Sequence, residues 1–208
     1  MDLYLFDYDR TLYAYDSRKR LPAQSRLSGV SQYHLAKSWW VAGYERRAES
    51  GEWPTSAEYL DKFAEITGAR MTLQEWAEAR QEASTPNPGV IAALRRASTL
   101  GTVSLMSNNP SPFVESLPLV APEVVEILGG NLLVSFQIGV RKPDPRAFQL
   151  AVEKYGARPE DTFFVDDSAE NVAGAASIGI TAQHFEVGNP SAVADLDAAI
   201  EAFRTRNS

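Results

Sequence analysis

The chain has 208 residues, of which 44% are hydrophobic and 23% charged, values that are ordinary for a globular protein and exclude a disordered chain. It contains no cysteine, which excludes disulfides, thiolate catalysis and cysteine-ligated zinc or iron–sulfur sites. Twenty basic and 27 acidic residues give a net charge of −7, and a negative field of this kind disfavours binding to nucleic acid or to an anionic membrane.

The N-terminal segment lacks the basic region and the long apolar region of a signal peptide. No window of the sequence approaches 18 uninterrupted apolar residues, the length that a membrane-spanning helix needs. We therefore expect a cytoplasmic protein that binds neither membranes nor nucleic acid.

Five short apolar runs, bounded by glycine, proline, asparagine or aspartate, are typical of buried strands. They cover residues 3–6, 102–106, 132–135, 162–165 and 180–185. Helical patterns with capping residues lie among them at residues 87–101, 144–156, 168–179 and 191–203. Strands that alternate with helices at this spacing predict right-handed βαβ units. The expected fold is therefore α/β, with a doubly wound, Rossmann-like parallel sheet.

Residues 15–83 interrupt this alternation with three helical patterns, two of which begin with a capping box, and with no strand-like run. They also contain all four tryptophans. We predict a small helical cap over residues 15–83, inserted into a catalytic core formed by residues 1–14 and 84–208. Ten basic and ten acidic side chains cancel within residues 15–83, so the whole negative excess belongs to the predicted core.

Two pairs of carboxylates follow predicted strands. Asp7 and Asp9 come after the first strand, and Asp166 and Asp167 come after the fourth. Carboxylates this close repel each other unless a cation or a shared proton lies between them, and hard oxygen ligands suit Mg²⁺. Taken alone, the first pair could also belong to a solvated turn.

Two further polar motifs lie between these pairs. Ser107 and Asn108 follow the second strand, where a hydroxyl and exposed backbone N–H groups can bind an anion or cap a helix. Lys142 precedes Pro143 in a stiff loop that could aim its ammonium into a cleft, although such a lysine is usually solvated. Because the carboxyl ends of parallel strands meet at one edge of a sheet, we expect all four motifs to form one phosphoryl-transfer site.

These four motifs, in this order and at this spacing, resemble those of the haloacid dehalogenase-like (HAD) superfamily, from the first strand to about residue 184. The resemblance implies a hydrolase of phosphatase type with a helical cap. It implies that Asp7 is the nucleophile, which forms an aspartyl-phosphate. It also implies that Asp9 is the general acid for the leaving alcohol and then the general base for the attacking water.

The same resemblance assigns the remaining groups. Ser107 and the backbone of Asn108 would hold the phosphoryl oxygens, and Lys142 would offset charge on Asp7 and on the transferred group. The implied cofactor is Mg²⁺. Its implied ligands are Asp7, the main-chain carbonyl of Asp9, and Asp167, with Asp166 holding a metal-bound water. Supporting roles fall to Thr11, Ser168 and Asn171, the last of which would brace the loop.

The expected activity is magnesium-dependent hydrolysis of a small phosphorylated metabolite. Dehalogenation is disfavoured, because family members with that activity lack the second acid, here Asp9, and need no metal. One alternative is a nucleotide 5′-monophosphatase, since residues 11–13, residues 165–168 and Asn171 are similar to the pyrimidine 5′-nucleotidase-like branch. Another is a non-catalytic binding protein with the HAD fold. A mutase or phosphotransferase would need a cap that excludes water from the intermediate.

The predicted cap contains residues that could contact a substrate. Its aromatic side chains could stack on a base, but aromatic residues at helical spacing more often form a segment's own core. Trp39 and Trp40 cannot share one helix face, so one of them should be exposed or interfacial. The basic run 18–20 could meet a substrate anion, although a solvated run is the more common case. His34 and His184 fit no metal-ligand spacing, and we expect structural or surface roles for them.

Overall fold

The computed structural model of the chain describes residues 2–206. Its strands are β1 (Leu3–Phe6), β2 (Tyr13–Tyr15), β3 (Ser84–Pro86), β4 (Thr102–Ser107), β5 (Leu132–Val134), β6 (Thr162–Asp166) and β7 (Thr181–His184). Its α-helices are α1 (Ser17–Ser28), α2 (Gln32–Leu35), α3 (Tyr44–Glu49), α4 (Ser56–Thr67), α5 (Leu73–Ala83), α6 (Pro88–Ala97), α7 (Ser111–Val120), α8 (Pro122–Leu128), α9 (Ser135–Ile138), α10 (Pro145–Tyr155), α11 (Ala169–Ala176) and α12 (Ala192–Arg206). A π-helical segment spans Ala36–Val41, and a 3₁₀ turn spans Pro159–Asp161. None of the helices described here combines the length and the apolar character needed to cross a membrane.

Five strands form a parallel sheet in the order β5–β4–β1–β6–β7. The predicted α/β fold with a doubly wound parallel sheet is therefore confirmed, and each of the five predicted strands is present. The chain builds outward from β1 through β4 and β5 on one side, and through β6 and β7 on the other. This reversal beside β1 creates the crevice in which sheets of this type bind ligands.

The sheet is covered on both faces, which is why β1 is apolar throughout. Tyr4 and Phe6 point into one hydrophobic cluster with residues of α6, α7, α8 and α12. Leu3 and Leu5 point into a second cluster with residues of α10 and α11. Alternate side chains of the strand therefore anchor opposite layers of helices, and the end of β1 has a fixed position.

Between β2 and β3 lies a helical segment, residues 17–83, that contains α1 to α5. The antiparallel ribbon of β2 and β3 pairs Tyr13 with Pro86 and Tyr15 with Ser84, so the chain leaves and re-enters the sheet-containing part at one place. The sequence did not predict this ribbon. The boundaries predicted for the cap fall at the ribbon, and the division into two domains stays a prediction.

The aromatic residues of the helical segment pack mainly against one another. Trp39 is fully buried, and its ring lies 5.0–5.8 Å from those of its aromatic neighbours, which are Tyr44, Trp53, Tyr59 and Phe63. One of the two adjacent tryptophans was expected to be exposed or interfacial, and Trp40 is half-buried. These contacts favour the interpretation that the aromatic residues form the segment's own core.

The expectation of a solvated basic run at residues 18–20 is wrong for its last member. Arg18 and Lys19 are exposed, but Arg20 is buried, and its guanidinium lies 4.4 Å from the centre of the Trp76 ring. The reason is the helical register, because the third residue of the run turns inward where α1 packs against α5.

Candidate active site

Asp7 lies directly after β1 and is buried. Its backbone N–H donates to the carbonyl of Val165 at 3.0 Å, which holds the residue between the ends of β1 and β6. Lys142 Nζ lies 2.6 Å from Asp7 Oδ1, from Asp166 Oδ2 and from the carbonyl oxygen of Met106. An ammonium has three donors, and here each has an acceptor. The structure thus brings together one residue from each of three predicted motifs.

The fourth motif fixes the backbone of Lys142. The side chain of Asn108 donates to the carbonyl of Lys142 and accepts from its backbone N–H, both at 2.9 Å. The Lys142 ammonium also lies 5.2 Å from the centre of the Phe164 ring. The sequence assigned only the backbone of Asn108 to the site, and the structure adds this contact of its side chain.

Asp166 is fully buried and is surrounded by donors. Asn171 Nδ2 lies 3.0 Å from each of its carboxylate oxygens, and the backbone N–H of Ser168 donates to Oδ1 at 2.8 Å. Ser168 is the N-cap of α11, because its hydroxyl accepts from the backbone N–H of Asn171. The start of α11 therefore orients Asp166 with both of the supporting residues predicted for this loop.

Asp167 is held by contacts on either side. Arg10 Nε lies 3.0 Å from Asp167 Oδ2, and His184 Nε2 lies 2.9 Å from the carbonyl oxygen of Asp167. Neither contact was predicted, although a structural role was expected for His184. Thr11, the residue after Arg10, is buried, and its hydroxyl has no hydrogen-bond partner within residues 2–206.

The three acidic residues Asp7, Asp166 and Asp167 place carboxylate oxygens within 4.8 Å of one another. Burial raises the pKa of Asp7 well above its ordinary value, with Lys142 opposing and Asp166 adding to the shift. Burial also raises the pKa of Asp167, against the effect of Arg10. For Lys142, the two neighbouring carboxylates outweigh burial and raise its pKa. A cluster of hard oxygen donors whose ionised forms need a cation fits Mg²⁺.

Asp9 points toward the helical segment and is bound from two sides. Arg80 of α5 places Nη2 2.6 Å from both Asp9 Oδ1 and Oδ2. Asn109 Nδ2 lies 3.0 Å from Asp9 Oδ2 and 2.9 Å from Ser107 Oγ. Sequence reasoning missed both partners. Asn109 adjoins the Ser107–Asn108 motif and could have been included, whereas nothing in the sequence distinguishes Arg80 from the other basic residues of its segment.

Besides the pair of Arg80 and Asp9, a second ion pair connects the helical segment to the loop that carries Lys142. Arg141 Nε lies 2.6 Å from Glu49 Oε2, and both side chains are largely buried. Burial raises the pKa of Glu49 to about 7, with Glu45 adding to the shift and Arg141 opposing it. Arg141, the residue before Lys142, therefore contacts the last residue of α3.

Comparisons with known proteins assign this chain to a family. Residues 1–179 match the haloacid dehalogenase-like hydrolases. Phosphatase MT3486 of Mycobacterium tuberculosis is 28% identical over 189 residues, which cover 86% of this chain and 84% of that protein. The phosphoserine phosphatase of Thermus thermophilus is 30% identical over 146 residues, which cover 66% of this chain and 58% of that protein.

The fold comparison agrees. A HAD family enzyme of Bacteroides thetaiotaomicron, BT-2542, solved in complex with magnesium and inorganic phosphate, superposes with a TM-score of 0.75 at 21% identity. The match covers 91% of this chain and 96% of that enzyme, and it establishes a common fold. With its four motifs inside the matched residues, the chain belongs to the haloacid dehalogenase-like hydrolase family and is an enzyme of the phosphatase type.

Proposed function

We propose that the protein hydrolyses a small phosphomonoester in a magnesium-dependent reaction, through an aspartyl-phosphate formed on Asp7. The observation that carries this proposal is the position of Lys142 Nζ, 2.6 Å from both Asp7 and Asp166 at the end of β1. An ammonium there stabilises charge on the nucleophile and on a phosphoryl group transferred to it. The relatives named as phosphatases, and the neighbour of like fold with magnesium and phosphate, support the same reaction.

In the first step, a carboxylate oxygen of Asp7 attacks phosphorus, and the bond between phosphorus and the leaving-group oxygen breaks. Asp9 donates a proton to that oxygen, so the product leaves as an alcohol. The hydroxyl of Ser107 and the backbone N–H groups at Asn108 hold the phosphoryl oxygens. Lys142 stabilises the charge that develops on the transferred group.

In the second step, water attacks the phosphorus of the aspartyl-phosphate, and Asp9 accepts the proton that the water loses. The bond between phosphorus and the Asp7 oxygen breaks, which releases inorganic phosphate and restores the carboxylate. Asp7 and Asp167 would hold Mg²⁺ through carboxylate oxygens and Asp9 through its main-chain oxygen, with Asp166 in a supporting role. The ion would supply positive charge that neutralises and orients the phosphate.

Turnover of p-nitrophenyl phosphate tests the proposal. We expect release of p-nitrophenolate that requires Mg²⁺ and stops with EDTA, and a loss of about a thousandfold or more in Asp7→Asn, because the amide is a poor nucleophile. Asp197→Asn, an exposed aspartate paired with Arg96, is the matched control and should keep full activity. Acid quenching should trap a phosphorylated wild-type protein, and none in Asp7→Asn. No magnesium-dependent turnover on a broad panel of phosphate esters would refute the proposal.

For the substrate, we propose a small phosphorylated metabolite whose recognition does not depend on a stacked base. Trp39 and Trp76 are fully buried among other side chains, so their faces are already occupied. A screen of sugar phosphates, nucleotides and other small phosphomonoesters, ranked by kcat/KM in the presence of Mg²⁺, tests this. A clear preference for nucleoside monophosphates over the rest would contradict it.

A further inference from the structure

We infer that Arg80 is a positioning residue for catalysis, which orients the carboxyl group of Asp9 from the helical segment. The inference rests on the acid–base role that the proposed function gives to Asp9. Arg80 lies on α5, one turn before the chain returns to the ribbon at β3, and is separated from Asp9 by 71 positions. No motif of the sequence includes it.

The contact between the two side chains restricts Asp9. Arg80 Nη2 lies 2.6 Å from both carboxylate oxygens of Asp9. On the side of the sheet, Asn109 Nδ2 donates to one of these oxygens over a distance of 3.0 Å. A carboxyl group held by donors from two directions has little freedom to rotate. Asp9 is also about a quarter exposed, whereas Arg80 is 4% exposed, so the arginine is the more firmly fixed partner.

The guanidinium of Arg80 is itself fixed by aromatic rings from different parts of the chain. Its central carbon lies 4.8 Å from the ring centre of Phe113 on α7 and 5.5 Å from that of Tyr8, which lies between Asp7 and Asp9. It lies 5.3 Å from the ring of Tyr15 in the ribbon. Cation–π contacts of this kind are strongest when the cation is removed from water, as it is here. The orientation of the Asp9 carboxyl group therefore depends on where α5, which carries Arg80, packs relative to the sheet.

Loss of this constraint has a specific kinetic signature. Proton donation to the leaving group matters most when the departing oxygen is strongly basic, and little when it leaves as a stable anion. If Arg80 orients Asp9 for this donation, its replacement slows esters with basic leaving groups more than esters with good ones. A residue that only stabilises the fold slows both equally.

Arg80→Met and Arg80→Lys should be assayed with phenyl phosphate and p-nitrophenyl phosphate, which have similar shapes but leaving groups of different basicity. The measured quantity is kcat/KM, which reports phosphoryl transfer to Asp7 without the later hydrolysis step. For Arg80→Met we expect kcat/KM to fall about tenfold more for phenyl phosphate than for p-nitrophenyl phosphate. Arg80→Lys should recover part of this difference, because an ammonium can still donate to one oxygen of Asp9.

Ser56→Ala is the matched control. Ser56 of α4 donates to Glu115 of α7, so its removal weakens another contact between the helical segment and the rest of the chain without touching Asp9. We expect Ser56→Ala to change kcat/KM for both esters by the same factor. Circular dichroism should show that the variants are folded. If Arg80→Met does not fold, Arg80→Gln and Arg80→Lys serve for the same comparison.

The outcomes separate the inference from the proposed function. A wild-type enzyme that is inactive on these two esters and on the broad panel of phosphate esters refutes the proposed function, and the inference falls with it. An active wild type, together with Arg80 variants that slow both esters equally or not at all, refutes the inference alone. A loss of kcat/KM in Arg80→Met that is larger for phenyl phosphate than for p-nitrophenyl phosphate, with no such difference between the esters in Ser56→Ala, supports it.

Discussion

Lys142 at the sheet edge and Arg20 in the helical segment are both buried cations, but their surroundings differ. At the sheet edge, Lys142 has two carboxylates and a carbonyl oxygen within 2.6 Å. In the helical segment, Arg20 lies on the ring of Trp76, and its Nε and Nη1 have no hydrogen-bond partner within residues 2–206. The first cation holds other charges in place, whereas the second fills space beside an aromatic ring. Equal burial therefore does not imply equal importance for the fold.

The largest expected effect separates these two cations. Lys142→Met leaves Asp7 and Asp166 buried without their cation, and we expect the free energy of unfolding to fall by about 4 kcal/mol at pH 7 in the absence of divalent cations. Arg20→Met removes a charge that forms no ion pair with a carboxylate within residues 2–206, and it should change stability by only about 1 kcal/mol in either direction. Urea denaturation followed by circular dichroism measures both. Equal losses in the two variants would contradict the comparison.

The ion pair of Glu49 and Arg141 lies where the helical segment meets the loop that carries Lys142. The pH dependence of stability tests how this buried pair behaves. The folded protein keeps the Glu49 proton up to about pH 7, whereas the unfolded chain releases it near the ordinary value of 4.5. Between these values the folded state binds more protons, so this group's contribution to stability falls as pH rises. Glu45 and Arg141 face the group and are unchanged in Glu49→Gln.

Glu49→Gln imitates the protonated side chain at every pH. We expect it to match the wild type near pH 4.5 and to exceed the wild type at pH 8 by up to about 3 kcal/mol in free energy of unfolding. Urea denaturation of both proteins between pH 4.5 and pH 8 gives the difference directly. A constant difference across this range would show that Glu49 titrates normally and that the contact behaves like a surface pair.

The same contrast explains what the sequence could predict. The sheet, its five strands and the convergence of Asp7, Lys142 and Asp166 follow from local patterns, because each motif adjoins an apolar run and parallel strands end at one edge. Strand register and the order of the strands then place these side chains together. No knowledge of the helical segment is needed for that step.

The helical segment gives weaker signals. Helix α1 was not predicted, because it contains mainly polar residues and carries Pro22 inside it. The ribbon strands β2 and β3 have three residues each, too few for an alternating pattern. The pairing of Arg80 with Asp9 depends on how α5 packs, and any of several arginines could have made it. Contacts set by tertiary packing alone leave no local pattern.

The smallest effects that we expect come from replacing one glycine in each region with alanine. A Cβ on Gly174 of α11 would lie 2.2 Å from the carbonyl oxygen of Pro143, next to Lys142, so Gly174→Ala must displace the lysine loop. Gly68, which ends α4, has open space around it but a φ of +73°. We expect Gly174→Ala and Gly68→Ala each to lower the free energy of unfolding by about 1–3 kcal/mol, the first through overpacking and the second through backbone strain.

Activity distinguishes the two glycine variants, because a shift of the Pro143 carbonyl moves Lys142 away from Asp7, whereas strain at the end of α4 does not reach the sheet edge. Gly174→Ala should therefore lower kcat for p-nitrophenyl phosphate about tenfold or more, since a displacement near 1 Å in a catalytic group has effects of that size or larger. Gly68→Ala should keep the wild-type kcat at temperatures where it is folded. If both variants lose stability and neither loses activity, the lysine tolerates movement of its loop, and the tight arrangement around it serves folding more than catalysis.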